Sequence, residues 1–304
     1  MSTREGKYTK VGLTEFYAEP KGTGSPAVIF ESAWGSLSIE WKKIQTEISE
    51  LTRSVIYDRA GYGESSYPSS PRTGKSITFE LKMILENLNI KPPYILVGHS
   101  SGGIYMQTFA IEYPELVSGM ILVDSITIDD DNFNKLKVPN YQRMISVPTR
   151  MDNIKALLKM DEEHFKPYIT QMLTKIYANF PEEIREKLIE YQTEQSFYKA
   201  VVEEYYARKD TYRFIKQNWE QFDFPLVIIC RDSELMSKIS NQAGLPESEA
   251  KIVEELWQKH SRSLLDMSSD SRIVIAKNSN HQIHISRPDV IIQEIKNLLN
   301  KIRL

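Results

Sequence analysis

The chain reads as an α/β protein: a mostly parallel, eight-stranded sheet with helices on both faces and an inserted helical segment. Three observations predict this. Short apolar runs alternate with amphipathic helical stretches from residue 27 to residue 125, as in parallel strands joined by crossover helices. One of those runs turns sharply into a helix around Gly98-His99-Ser100-Ser101-Gly102. The alternation stops near residue 127 and resumes at about residue 223, and the stretch between holds no buried-strand run.

The elements follow in order. Residues 8–11 and 13–17 flank Gly12 and alternate in polarity, which predicts two short strands. Pro20, Gly22, Gly24 and Pro26 mark a loop. The apolar run 27–31 is a buried strand ending in Ser32-Ala33-Trp34. Residues 39–51 form an amphipathic helix with Ile44, Ile48 and Leu51 on one face. A strand at 54–57 leads into Asp58-Arg59-Ala60-Gly61-Tyr62-Gly63, and a helix at 76–88 carries Phe79, Leu81, Ile84, Leu85 and Leu88 as its apolar set. Strands at 94–97 and 119–123 bracket the Ser100 turn and its helix. Helices are expected at 153–160, 164–178, 181–197 and 200–219, in a region holding half of the sixteen tyrosines. This divides the chain into a sheet domain, 1–126 with 223–304, and a helical cap, 127–222. The cap aromatics are read first as the cap's own core and second as a pocket lining. Beyond them come strands at 225–230 and 272–276, a helix at 246–265 with Ile252, Leu256 and Trp257 as apolar positions, and a last helix begun by Pro288.

Composition bounds the function. At 304 residues, with 41% hydrophobic and 26% charged residues, the chain can bury a substantial core. A net charge of −3 gives no reason to expect nucleic acid or an anionic membrane. The longest apolar runs are strand-length, too short to span a bilayer. One cysteine, Cys230, excludes an internal disulfide and fits a reducing compartment. The start lacks the apolar stretch of a signal peptide, so a cytoplasmic location is expected. No His/Cys/Asp cluster has zinc spacing, and neither a metal nor a cofactor is expected. The partner is a small-molecule substrate.

The chemistry gathers at one sheet edge. In open parallel sheets ligands bind beyond the carboxyl ends of the strands, where Glu31, Asp58, Ser100 and Asp124 all fall. The tight turn at Ser100 forces a strained backbone and exposes the hydroxyl. The glycines two before and two after remove Cβ clashes, and the helix that follows offers free N–H groups to a developing negative charge. A serine hydroxyl needs a base, and the base an orienting acid. His281 follows a buried strand and precedes the last helix, which places it at the Ser100 edge as the base. His284 is read as a packing or pocket-rim residue, His99 as structural, and His164 and His260 as surface residues. The Asp58-Arg59 loop lacks a phosphate-binding fingerprint and is read as structural.

The order serine, acid, histidine, together with residues 30–32, 57–65, 97–102, 122–125 and 281–289, resembles a bacterial branch of the α/β-hydrolases. The likeness covers nearly the whole sheet domain, and no motif matches the cap. It implies a serine hydrolase acting on a small ester through an acyl-enzyme. The same triad serves C–C, amide or iminopeptide cleavage and perhydrolysis, and the fold also serves as a ligand-binding module. Epoxide hydrolase and dehalogenase chemistry is disfavoured, because Ser100 stands where those members resemble aspartate nucleophiles. The resemblance leaves three acids: Asp124, at the position of dehalogenase-like members; Glu234, where counting from Pro225 puts the commoner site; and Asp232. It also implies an oxyanion hole from the N–H groups of Ser101 and Ala33, with Glu31-Ser32 replacing the family's common His-Gly.

Overall fold

The computed structural model describes residues 5–178 and 180–303. The strands are β1 (Lys7–Val11), β2 (Thr14–Lys21), β3 (Ala27–Glu31), β4 (Ser54–Tyr57), β5 (Tyr94–His99), β6 (Val117–Val123), β7 (Leu226–Cys230) and β8 (Ser271–Ile275). They form one sheet in the order β1-β2-β4-β3-β5-β6-β7-β8. β1 runs antiparallel to β2 and β2 to β4, and every later pair is parallel. β3, β4, β5 and β7 are buried along their whole length, which is why they read as continuous apolar runs.

The helices on and around this sheet begin with α1 (Lys42–Ile48), α2 (Gly74–Asn87) and α3 (Ser101–Glu112). Five more lie between β6 and β7: α4 (Pro139–Met144), α5 (Val147–Leu157), α6 (Glu162–Ile176), α7 (Glu182–Gln192) and α8 (Gln195–Asn218). A short helical turn, Asp130–Lys135, precedes them. The chain then adds α9 (Ser233–Gln242), α10 (Glu247–Ser263), α11 (Ile283–Ser286) and α12 (Pro288–Arg303). No described helix is long and apolar enough to cross a membrane.

Each face of the sheet has its own core. On one, Ile29, Leu96, Leu122 and Ile228 pack with Leu81, Ile84 and Leu85 of α2 and Met106 and Phe109 of α3. On the other, Val28, Val97, Val123 and Ile229 pack with Ile44 and Ile48 of α1 and with Ile291, Ile295 and Leu298 of α12. Each such aliphatic side chain, fully buried, stabilises the fold by roughly 1.5–3 kcal/mol. A separate cluster holds Phe165, Ile169, Leu173, Leu188 and Phe197 of the inserted helices against Leu37, Ile39 and Tyr62 of the sheet domain.

Several expectations shift. The helix expected at 39–51 is a short turn, Ser38–Trp41, followed by α1, which ends at Ile48, so Leu51 lies beyond it and is exposed. Phe79 is also exposed; Ile77, Leu81 and Ile84 set the buried face of α2, and residue 79 falls on the opposite side of a 3.6-residue turn. α10 turns Ala250, Val253, Glu254 and His260 inward and leaves Ile252 exposed. His260 is therefore not a surface residue: it is buried, 3.3 Å from the Thr127 hydroxyl and edge-on to Phe133. α4 and α9 were not expected. Both are short and fully bury none of their side chains, although α9 carries Leu235, Met236 and Ile239 on one face.

Candidate active site

Ser100 sits between β5 and α3 at φ 53° and ψ −119°, a conformation that L residues rarely adopt. The turn is as tight as its glycines require. A Cβ on Gly98 would lie 2.7 Å from the Gly102 carbonyl, and one on Gly102 would lie 2.6 Å from the Glu31 carbonyl. The Ser100 amide donates to Val123 O on the neighbouring strand (3.0 Å), and the Ser125 hydroxyl donates to Ser100 O (3.1 Å).

Asp124 ends β6, fully buried and also at positive φ. Its Oδ2 lies 2.7 Å from Nδ1 of His281, in the loop between β8 and α11. A carboxylate only accepts, so the neutral imidazole carries its proton on Nδ1 and keeps Nε2 free to accept. Trp257 Nε1 donates to Asp124 Oδ1 (2.9 Å) and Arg231 Nη1 to Oδ2 (3.2 Å). Arg231 also grips Glu254 through Nε (3.1 Å) and Nη2 (2.6 Å), and its guanidinium lies 3.8 Å over the Trp257 ring. Burial opposes charge on Asp124, but Arg231, His281 and Trp257 outweigh it and hold the carboxyl below its ordinary range.

The other two acids lie elsewhere. Asp232 caps α9, accepting from Glu234 N (3.1 Å) and Leu235 N (3.4 Å), and its second oxygen accepts from Asn278 N (3.0 Å). Glu234 is exposed in the first turn of α9. Among the three candidates only Asp124 meets the His281 ring.

The remaining histidines separate clearly. His99 is buried, and burial pushes its imidazole well below the usual value. Its Nε2 lies 2.9 Å from the His281 carbonyl, which can only accept, so His99 donates there and anchors the His281 loop. His284 stacks on Trp41 with Nε2 3.1 Å from Glu40. His164 is exposed and pairs with Asp161 of its own helix (2.6 Å).

Ala33 and Ser101 share a cavity of about 620 Å³ with Ser100 and His281. Ala33 is positioned by Arg59, whose Nη1 donates to Ser32 O (2.8 Å) and Nη2 to Ala33 O (3.0 Å). Arg59 also pairs with Glu31 at the end of β3 and with Glu204 of α8. Burial alone would pull its guanidinium down, and Glu204 and Glu31 together push it above the usual value. The Asp58-Arg59 turn thus holds the 32–34 loop and ties it to the inserted helices. The cavity's far side is built by the insertion, including Tyr141, Arg150, Tyr205 and Tyr212. The aromatics of the insertion divide: Tyr177 and Tyr198 lie in its core, and those just named face the cavity.

Sheet order, the Ser100 turn and the Asp124–His281 pair together are the architecture of one family. Residues 26–247 match the alpha/beta hydrolase fold model, and the chain belongs to that family. It is 23% identical over 287 residues to the uncharacterized protein YqjL of Bacillus subtilis, covering 94% of this chain and 88% of that one. An AB hydrolase superfamily protein of Gibberella zeae is 22% identical over 297 residues, covering 91% and 87%. Among solved structures, a thermophilic esterase from Thermogutta terrifontis superposes with a TM-score of 0.66 at 18% identity, covering 99% of this chain and 100% of that one. A Pseudomonas aeruginosa protein described provisionally as an epoxide hydrolase does so with 0.72 at 15%, covering 100% and 98%. At such identities these structures speak for the fold.

Sequence reasoning missed Arg231, Glu254 and Trp257 around Asp124, and the reach of Arg59. One signal existed for Arg231. It directly follows β7, the strand paired with β6, and so falls next to the strand end that carries Asp124.

Proposed function

We propose that this protein is a serine hydrolase that cleaves carboxylic esters, with Ser100 as nucleophile, His281 as general base and Asp124 as the acid that orients it. The observation that carries this reading is the 2.7 Å contact between His281 Nδ1 and Asp124 Oδ2, in a cavity shared with a positive-φ Ser100. Ser100 Oγ attacks the ester carbonyl as its proton passes to His281 Nε2. The carbonyl π electrons move onto oxygen, and the backbone N–H groups of Ser101 and Ala33 receive that charge, each worth roughly 3 kcal/mol in the transition state. The C–O bond to the alcohol then breaks, and the alcohol leaves with the His281 proton. Water, deprotonated by His281, attacks the acyl-enzyme, and the carboxylic acid departs as Ser100 regains its proton. Asp124 stays ionised throughout and stabilises the imidazolium.

Residues 127–222 act as a cap that shapes the substrate space. The buried single thiol, Cys230, supports a cytoplasmic setting.

A fluorophosphonate probe tests the nucleophile. A stoichiometric adduct on Ser100, located by mass spectrometry and lost in His281→Ala, is expected. Folded protein that gives no adduct overturns the assignment.

A further inference from the structure

Among the described residues, the cavity holds one arginine that no side chain or carbonyl answers. Its other two arginines are committed: Arg231 to Asp124 and Glu254, and Arg208 to the Tyr205 carbonyl (2.7 Å) and Asp131 (3.3 Å). Arg150, on α5, is different. Among the described residues its guanidinium has no hydrogen-bond or ion-pair partner, and it lies 5.8 Å from the Trp34 ring centre. It is exposed into the cavity, and desolvation by the nearby protein pulls its guanidinium below the usual arginine value, against Tyr141 and Asp130. Its side chain is nonetheless open to water-sized molecules, because the space it faces is the cavity itself.

The facing carboxylates do not neutralise it. Glu204 is held by Arg59, Glu254 by Arg231 and Asp131 by Arg208. Asp130 acts on Arg150 through its charge. Burial and the neighbouring Asp131 lift Asp130 to about 6, against Arg208 and Tyr212. A guanidinium that faces a ligand cavity without a hydrogen-bond partner is free to take an anion there. The planar fork of an arginine suits a carboxylate or a phosphate, and Trp34 and Tyr141 flank the space where it would lie.

We propose that Arg150 is a substrate-binding residue, and that the preferred ester carries a second, anionic group that pairs with it in the capped part of the cavity. This rests on the serine-hydrolase reading above.

The test compares two isosteric p-nitrophenyl esters: the monoester of adipic acid, which ends in a carboxylate, and 6-methylheptanoate, which ends in an isopropyl group. Wild type is expected to favour the adipate ester in kcat/KM. Arg150→Gln should lower that value about 10- to 100-fold, mostly through KM, the range for losing a charge-assisted bond, and leave the isostere within about 3-fold. Arg150→Lys should recover part of the loss. Fluorophosphonate labelling of Ser100 should proceed at the wild-type rate in both variants, which separates this role from damage to the nucleophile. Equal turnover of the two esters by wild type, or equal losses on both in Arg150→Gln, overturns the proposal. If Ser100 takes no adduct, the hydrolase reading fails by itself. Calorimetric binding of monomethyl adipate and of phenyl phosphate to wild type and Arg150→Gln then decides the anion site. Binding lost in the variant sustains it and tells carboxylate from phosphate, and no binding to wild type removes it.

Discussion

The two walls of the cavity treat charge in opposite ways. At the sheet wall, Asp124 is fully buried and answered three times, by His281, Arg231 and Trp257. At the helical wall, among the described residues, Arg150 has no ion-pair partner and Asp130 keeps one buried oxygen, Oδ1, without a hydrogen-bond partner. Strand register dictates the first arrangement: β6 pairs with β7, and the residues past their ends meet whatever the substrate is. The insertion builds the second. On the proposed reading, the fold places the reacting groups, and the inserted helices place what distinguishes one ligand from another. Variants of the sheet wall should therefore act on kcat, and variants of the helical wall on KM.

The largest effects break the sheet wall. Ser100→Ala and His281→Ala should each lower kcat/KM by about 10⁴-fold or more, and the double variant should be little worse than either, because the two groups act as a unit. Steady-state rates on one activated ester check this; additive losses would mean independent roles. Asp124→Asn should cost about 10³- to 10⁴-fold by disturbing the histidine tautomer. Glu234→Gln, an exposed change in α9, should stay within about 2-fold. A reversed order of those two would return Glu234 to the triad.

Arg231→Met probes the support behind Asp124. It strands Glu254 inside the protein, and breaking one side of a buried pair costs about 3–5 kcal/mol. Adding Glu254→Gln removes the stranded charge, so the double variant should unfold at higher denaturant than Arg231→Met alone. If the second change destabilises further, Glu254 has a partner other than Arg231 that matters more.

How much of this was legible in the chain follows from what pattern reports. The strands buried along their length, β3, β4, β5 and β7, were readable as continuous apolar runs, and the first two strands by alternating polarity. The Ser100 turn was readable because its close approaches admit only glycine at 98 and 102. Asp124 stood among three acids, since spacing along the chain does not say which carboxylate a loop histidine will reach. Glu254, His260 and Arg59 were hidden for a shared reason. Hydropathy sends charged and imidazole groups to solvent, and only a tertiary partner brings them in: Arg231 for Glu254, Thr127 for His260, and Glu31 with Glu204 for Arg59. Arg150 is the converse, a charge that lines the cavity with no hydrogen-bond partner among the described residues.

The smallest effect sets the two aspartates against each other. Asp124 has a lowered pKa in the fold, so its contribution to stability is complete above the unfolded value of about 4 and is lost as pH falls through the lower folded value. Asp130 is raised to about 6, so it runs the other way. Below about pH 4 it is protonated in both states and costs nothing. As pH rises from about 4 to 6 the unfolded chain ionises first, and the folded state falls behind by about 1–3 kcal/mol, reached in full above pH 6. Asp130→Asn removes the charge at nearly constant shape. It should raise the urea midpoint at pH 8 and leave it unchanged near pH 4. It should also lower KM for the adipate ester a few-fold at pH 8, because Arg150 then faces no competing carboxylate. A gain in stability without that fall in KM would mean that Asp130 answers to the fold alone, and that Arg150 meets its anion beyond the reach of Asp130.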